Sequence, residues 1–186
     1  MFFVSDAQVS ISDDLNHRET LSRVAPGIYQ GSSLIGTVGR TYTLEVVVDD
    51  KRYTARSTMP PTIPIDSIGL DLFFIQRLLP AIYNYRTQNT NSFPISRKFT
   101  FSDRFNNGQA VAYPLFKLDI TSGDVIDVTL YSVDEPVFEY FRTLDDAGLG
   151  NSFTAAAPAN PRTNISGGAL GYFQAASRTT TTRLIP

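Results

Sequence analysis

The stretch Thr41-Tyr42-Thr43-Leu44-Glu45-Val46-Val47-Val48-Asp49-Asp50-Lys51-Arg52-Tyr53-Thr54-Ala55-Arg56-Ser57 decides how the chain folds. Tyr42, Leu44, Val46 and Val48 recur at every second position, the period of a strand that buries one face. Asp49-Asp50 interrupts the pattern as a turn, and Tyr53, Ala55 and Ser57 continue the inward face on the return strand. Gly36 and Gly39 loosen the loop that leads in. The pattern specifies a β-hairpin.

Short strands extend outward from that hairpin. Ala7, Val9 and Ile11 alternate with Gln8, Ser10 and Ser12, and the Asp13-Asp14-Leu15-Asn16 cluster turns the chain. A second short strand is expected from Glu19 to Arg23, and Pro26-Gly27 punctuates before Ile28-Tyr29. Strands at this spacing predict a small β-sandwich of immunoglobulin-like or transthyretin-like type over residues 1–62. Pro60, Pro61 and Pro64 follow. Proline donates nothing to a ladder and holds its predecessor extended, so these residues form a stiff connector and place a domain boundary or sheet crossover there.

Residues 63–186 read as a second β-rich domain. Asp71 to Tyr85 is an apolar and aromatic run broken by Pro80, open between strand and helix, and Gln88 to Arg97 is loop-like. Phe99 and Phe101 alternate with polar residues, and Asn106-Asn107-Gly108 turns the chain back. Ala110 to Ile120 and Val125 to Val133 form an expected hairpin around Thr121-Ser122-Gly123-Asp124. One helix is expected near 135–147: Ser132 and Glu135 have capping-box spacing, and Pro136 suits a first turn. Val137, Tyr140, Phe141 and Leu144 share a face of it, and Gly148 stands where it should stop. The fold class is therefore mainly β, with one short α-helix.

Composition narrows the function classes. The 186 residues are 42% hydrophobic and include 13 Phe and 9 Tyr, enough for a sizeable core. Sixteen basic residues against 18 acidic ones, with no long run of like charge, disfavour a phosphate-reading surface and hence nucleic acid. The absence of cysteine removes disulfides, thiolate nucleophiles and zinc–thiolate sites. No segment approaches the roughly 18–20 apolar residues of a membrane-spanning helix.

Candidate chemistry is sparse. The single histidine, His17, sits in a polar turn and reads as a solvated imidazole rather than a triad member. Asp13-Asp14, Asp49-Asp50, Asp134-Glu135 and Asp145-Asp146 are sequence neighbours at turns and helix ends, better explained by turn and cap chemistry than by a glycosidase pair. No alternating Asp loop is present to favour calcium. Tyr83, Tyr85, Tyr113, Tyr131, Tyr140 and Tyr172 read as core residues before a carbohydrate or peptide platform. No catalytic, cofactor-binding or metal-ligating residue is assigned, and the chain is expected not to be an enzyme.

The most distinctive stretch is Asn160-Pro161-Arg162-Thr163-Asn164-Ile165-Ser166-Gly167-Gly168-Ala169-Leu170-Gly171-Tyr172-Phe173. Its glycines lack the Lys-Ser/Thr that a phosphate loop needs, so they set backbone geometry, launching a final strand from Leu170 to Leu184. Asn164-Ile165-Ser166 also matches a glycosylation acceptor, a pattern of negligible specificity. The strand carries Arg178, four threonines and Arg183, a polar make-up suited to a sheet edge.

Together with Asp6 to Asp14, Gly27-Ile28-Tyr29, Gly39 to Leu44, Tyr53 to Pro60, Pro64 to Ile68, Phe101 to Gly108, Gly123-Asp124-Val125 and Phe138 to Leu144, this stretch resembles a Bacteroidota outer-membrane surface lipoprotein family of unknown function, of DUF4249 type. Asn164, Gly167, Gly168, Gly171, Tyr172 and Phe173 form its most specific signature, a structural loop. Tyr83-Asn84-Tyr85-Arg86 matches the family's Asn-Tyr-Tyr-Arg segment only loosely, and Ile68 to Phe99 is shorter than the family norm. The resemblance implies a location on the extracellular face of the outer membrane, through a lipid anchor outside this chain. It also implies a TonB-dependent β-barrel receptor as partner, with a peptide or glycan as ligand. The alternative is a structural or adhesive Ig-like module of a larger surface complex that handles no ligand. The resemblance carries no catalytic residues and no cofactor.

Overall fold

Two consecutive non-glycine residues in the left-handed region, Asp49 (φ 48°) and Asp50 (φ 61°), build the tight turn of the hairpin formed by Thr41–Val48 and Lys51–Thr58. Positive φ at both central positions matches the right-handed twist of the flanking strands, and aspartate tolerates the conformation better than most residues. The computed structural model describes residues 4, 6–68, 73–75, 81–88, 96–101, 111–112, 122–148 and 160–185. Their architecture is mainly β, with several antiparallel sheets and one helix.

The chain forms two compact units, Met1–Met59 with Asp134–Ala175, and Pro60–Val133 with Ala176–Pro186. The sequence reading divides the chain at 62/63, whereas these units divide at Met59/Pro60, Val133/Asp134 and Ala175/Ala176. The main difference is that Asp134–Ala175, with the helix and the glycine-rich stretch, groups with the N-terminal strands. The reason is long-range hydrogen bonding to the hairpin, which no local sequence pattern announces.

In the first unit, β1 (Gln8–Asp13), β2 (Arg18–Thr20), β5 (Thr41–Val48) and β6 (Lys51–Thr58) form an antiparallel sheet in the order β2-β1-β5-β6. The hairpin register runs from Val48↔Lys51 to Thr41↔Thr58, so Tyr42 faces Ser57, Leu44 faces Ala55 and Val46 faces Tyr53. β1 adds Val9 opposite Val46 and Ile11 opposite Leu44. On this face Val9, Tyr42, Ala55 and Ser57 are buried, whereas Leu44, Val46, Val48 and Tyr53 are half-buried.

The single strand expected from Glu19 to Arg23 is instead divided. Glu19 and Thr20 pair with β1, whereas Ser22 and Arg23 begin β3 (Ser22–Ala25), which pairs with β4 (Ile28–Gln30) in a separate two-stranded ribbon. Leu21 marks the division, its N–H still bonded to the Val9 carbonyl at 2.8 Å. The ribbon turns at Pro26-Gly27, with Gly27 at φ 72°.

The helix α1 runs Glu135–Gly148. Its cap corrects the sequence expectation: Ser132 lies inside a strand and is buried, and Asp134 is the N-cap. Asp134 Oδ1 accepts from the Val137 N–H at 3.3 Å, and its carbonyl accepts from Phe138 N–H at 3.0 Å. The other carboxylate oxygen accepts the Thr58 N–H at 2.8 Å, tying the helix start to the end of β6. The buried stripe is Val137, Phe138 and Phe141; Leu144 is 40% exposed and stands outside it.

In the second unit, β7 (Ile65–Ile68), β8 (Phe73–Ile75) and β11 (Val111–Ala112) form one sheet in the order β11-β8-β7. β9 (Ala81–Gln88), β10 (Ser96–Phe101), β12 (Val125–Ser132) and β13 (Ser177–Leu184) form another, in the order β10-β9-β12-β13. Ile126, Val128, Leu130 and Ser132 alternate as buried positions along β12. The expected hairpin of 110–120 with 125–133 does not form in the described part. Both edges of β12 are occupied from Val125 to Ser132, by β9 and β13, and Val111–Ala112 pairs with β8 instead. Residues 113–121 and the Asn106–Gly108 turn lie outside the described residues. The turn at Gly123 (φ 91°) is fastened to the chain end by Gly123 N–H to Ile185 O and Ile185 N–H to Asp124 O. The last strand starts at Ser177 rather than Leu170.

Because Asp134 serves two backbone donors with its carboxylate, Asp134→Ala should cost about 1–2 kcal/mol, the upper range of a lost N-cap. Urea unfolding monitored by circular dichroism measures this; an unchanged midpoint would show that Asp134 caps nothing of consequence.

Candidate functional site

Chemistry-bearing residues of the first unit converge, among the described residues, at the signature stretch and at a polar cleft. The signature stretch begins against the helix. Arg162 N–H donates to Thr143 Oγ1 at 2.9 Å, and its guanidinium lies 3.8 Å from Glu139, which also grips Arg142. The chain then reaches β6. Ile165 bridges Ala55 in antiparallel fashion, and Ser166 N–H donates to the Thr54 carbonyl at 2.7 Å. Ser166 Oγ accepts from the Thr54 N–H at 3.2 Å and lies 2.6 Å from the Thr54 hydroxyl.

Asn164 closes the loop on itself. Its Oδ1 accepts from Phe173 N–H at 2.9 Å, its Nδ2 donates to Phe173 O at 2.7 Å, and Nδ2 also reaches Arg56 O at 3.3 Å. The amide thus acts as a one-residue β-bridge. Thr163 Oγ1 adds a 2.6 Å bond to the Gly171 carbonyl. Glycine is required at Gly167 for two reasons: φ is +85°, and a Cβ there would sit 2.9 Å from Arg52 O and 3.0 Å from Tyr53 Cδ1. Gly168 has φ +83° but open space around it. Tyr172 lies against the helix, its ring centroid 4.9 Å from that of Tyr140 and 4.6 Å from that of Phe141. Ala175 N–H ends the segment on Ser57 Oγ at 2.9 Å. Asn164, Gly167, Gly168, Gly171, Tyr172 and Phe173 are thereby brought together as a brace between β6 and α1.

The cleft lies between the β1–β2 turn and the segment that leads from β4 to β5. It encloses about 360 Å³ and is lined by Asp13, His17, Arg18, Glu19, Ser33, Leu34, Ile35, Thr37 and Arg40. Glu19 faces three successive backbone donors, the N–H groups of Ser32, Ser33 and Leu34 at 2.5, 2.9 and 2.7 Å. These bonds stabilise the ionised carboxyl and pull its pKa from 4.5 to about 2. Asp13 Oδ2 is shared by His17 Nδ1 at 2.9 Å and Arg40 Nη1 at 3.0 Å. Burial acts to raise the Asp13 pKa, but the His17 ring and the His17 and Leu15 N–H groups outweigh it and lower the pKa. Arg18 bonds Ser10 Oγ and Glu45.

His17 is therefore an exposed imidazole paired with Asp13, four residues away on the same turn. Asp49-Asp50 is a turn and Asp134 a cap, as the sequence suggested for those pairs. Among the described residues, no three His, Cys, Asp or Glu groups are placed to hold a metal ion. The side chains of Tyr83, Tyr85 and Tyr113 lie outside the described residues. Glu19 is the residue that sequence reasoning missed. Its partners are backbone N–H groups, which leave no side-chain trace; the small Gly31-Ser32-Ser33 run is the one local hint.

The sequence matches the family model described as "Domain of unknown function (DUF4249)" over residues 1–182, and the chain belongs to that family. No curated protein and no solved structure matches it.

Asn164→Ala should destabilise the protein by about 2 kcal/mol, since it removes two strong hydrogen bonds of roughly 1 kcal/mol each. Gly168→Ala should cost about 1 kcal/mol for its left-handed backbone alone, and Gly167→Ala more, because a clash is added. Chemical denaturation ranks the three, and equal costs for the two glycines would contradict the packing at Gly167. Glu19 has a folded pKa below its ordinary value, so its contribution is fully present above about pH 4.5 and is lost as pH falls towards 2. Backbone amide shifts of Ser32 to Leu34, followed by NMR, should titrate near pH 2; a midpoint near 4.5 would refute the cradle.

Proposed function

We propose that this protein is a non-enzymatic surface lipoprotein of the Bacteroidota outer membrane that works with a TonB-dependent β-barrel transporter, in ligand capture or complex assembly. Membership of the DUF4249 family over nearly the whole chain carries this reading, through the properties that the resemblance implies for its members. The state of the ionisable residues supports the non-enzymatic part. Glu19, Asp13 and Asp134 each spend their carboxylate on the protein's own backbone N–H groups and side chains. The first unit is read as an immunoglobulin-like or transthyretin-like sandwich, a reading supported by its antiparallel order β2-β1-β5-β6.

A second reading, a structural or adhesive module without ligand handling, is favoured by the inward use of the signature residues. Asn164 and Ser166 hydrogen-bond to the protein's own backbone instead of presenting those groups to a ligand. Purification of the native protein from outer membranes separates the readings. A stoichiometric β-barrel transporter carrying a small ligand is the expected result, and an assembly without barrel or ligand would contradict the first reading. Turnover that disappears on replacing His17 would overturn both.

A further inference from the structure

The segment between β4 and β5, residues 31–38, is attached to its sheet in an unusual way. Its described ties to the sheet are side-chain bonds. Glu19 of β2 accepts the Ser32, Ser33 and Leu34 N–H groups. Tyr42 of β5, itself buried, accepts Thr37 N–H at 2.7 Å and donates to Ile35 O at 3.3 Å. Backbone pairing with the end of β6 begins only at Gly39, whose N–H bonds Met59 O, and at Arg40, whose carbonyl accepts Met59 N–H. The segment forms one wall of the 360 Å³ cleft, while Asp13, His17 and Arg18 form the other. Ile35 is 81% exposed and Val38 48% exposed, so little apolar burial holds the segment down.

We propose that residues 31–38 are a strap that gates this cleft, latched by Glu19 and opening as one unit while the sheet beneath stays paired. Release of the carboxylate frees three N–H groups together, because all three converge on one side chain. The strap then leaves the β1–β2 turn as the remaining wall, and the cleft widens. Gly31 supports the latch sterically. A Cβ there would stand 2.6 Å from Leu21 Cδ2 and 2.7–2.8 Å from the Glu19 carboxyl, and the backbone of Gly31 demands no positive φ. Gly31→Ala therefore displaces the latch without altering its charge.

Hydrogen exchange on the full chain, resolved by residue, tests the proposal with Glu19→Gln and Gly31→Ala compared with the unmodified protein. Both variants should speed exchange of the Ser32, Ser33, Leu34 and Thr37 amides by tenfold or more. The amides of β5 and β6 that pair with each other should be unchanged. Three results would overturn it: acceleration confined to residues 32–34 with Thr37 unaffected, equal acceleration of the β5 and β6 amides, or no acceleration in either variant. The first would mean local fraying, the second global destabilisation, and the third a latch that holds nothing. Gly31→Ala keeps the test decisive should Glu19→Gln fail to fold.

Discussion

The outer edge of β6 is the constraint on which the first unit depends. In a two-residue hairpin the turn-flanking pair is hydrogen-bonded, so Lys51, Tyr53, Ala55 and Ser57 point their backbone groups to β5. Arg52, Thr54, Arg56 and Thr58 then point theirs away from the sheet. An uncovered row of this kind is a template for pairing with another chain, and burying it without partners costs free energy. The protein covers it with pieces drawn from far along the sequence. Ser166 pairs both backbone groups of Thr54, Asn164 reaches the Arg56 carbonyl, and Asp134 accepts the Thr58 N–H.

That edge explains why the signature residues have the identities they do. Asn164 accepts from the Phe173 N–H while donating to both the Phe173 and Arg56 carbonyls, and an amide supplies those two donors where a hydroxyl has one and a carboxylate none. Gly167 must bring its backbone within contact of Arg52 and Tyr53. Tyr172 anchors the far side of the loop on Tyr140 and Phe141 of α1. The same segment therefore bonds a strand edge and packs a helix. Its described side-chain contacts are with the protein's own strand and helix. The sequon at Asn164 has the same explanation, since its amide is committed inside the fold.

What was legible in the sequence was local. Alternation from Tyr42 to Val48 and the Asp49-Asp50 pair specified a hairpin because both signals are contained within it. The helix was legible from its apolar spacing, yet its cap was misplaced: Ser132 and Asp134 both suit an N-cap, and β12 claims Ser132 through pairing on both sides. The partners of β12 were not legible. β9 and β13 are distant in sequence, and the polar Thr179-Thr180-Thr181-Thr182 run shows strand propensity without naming a neighbour. Glu19 was invisible for a related reason, since its three donors belong to the backbone. The grouping of Asp134–Ala175 with the N-terminal strands rests on contacts of the same long-range kind.

The account stands or falls on whether the β6 edge is closed. Amide exchange of the unmodified protein, resolved by residue, measures this at Thr54 and Thr58, whose N–H groups point away from β5. The account predicts that both exchange as slowly as the Tyr53 and Ala55 amides inside the hairpin, because Ser166 and Asp134 occupy them. Exchange of Thr54 and Thr58 at the rate of unstructured peptide would contradict it.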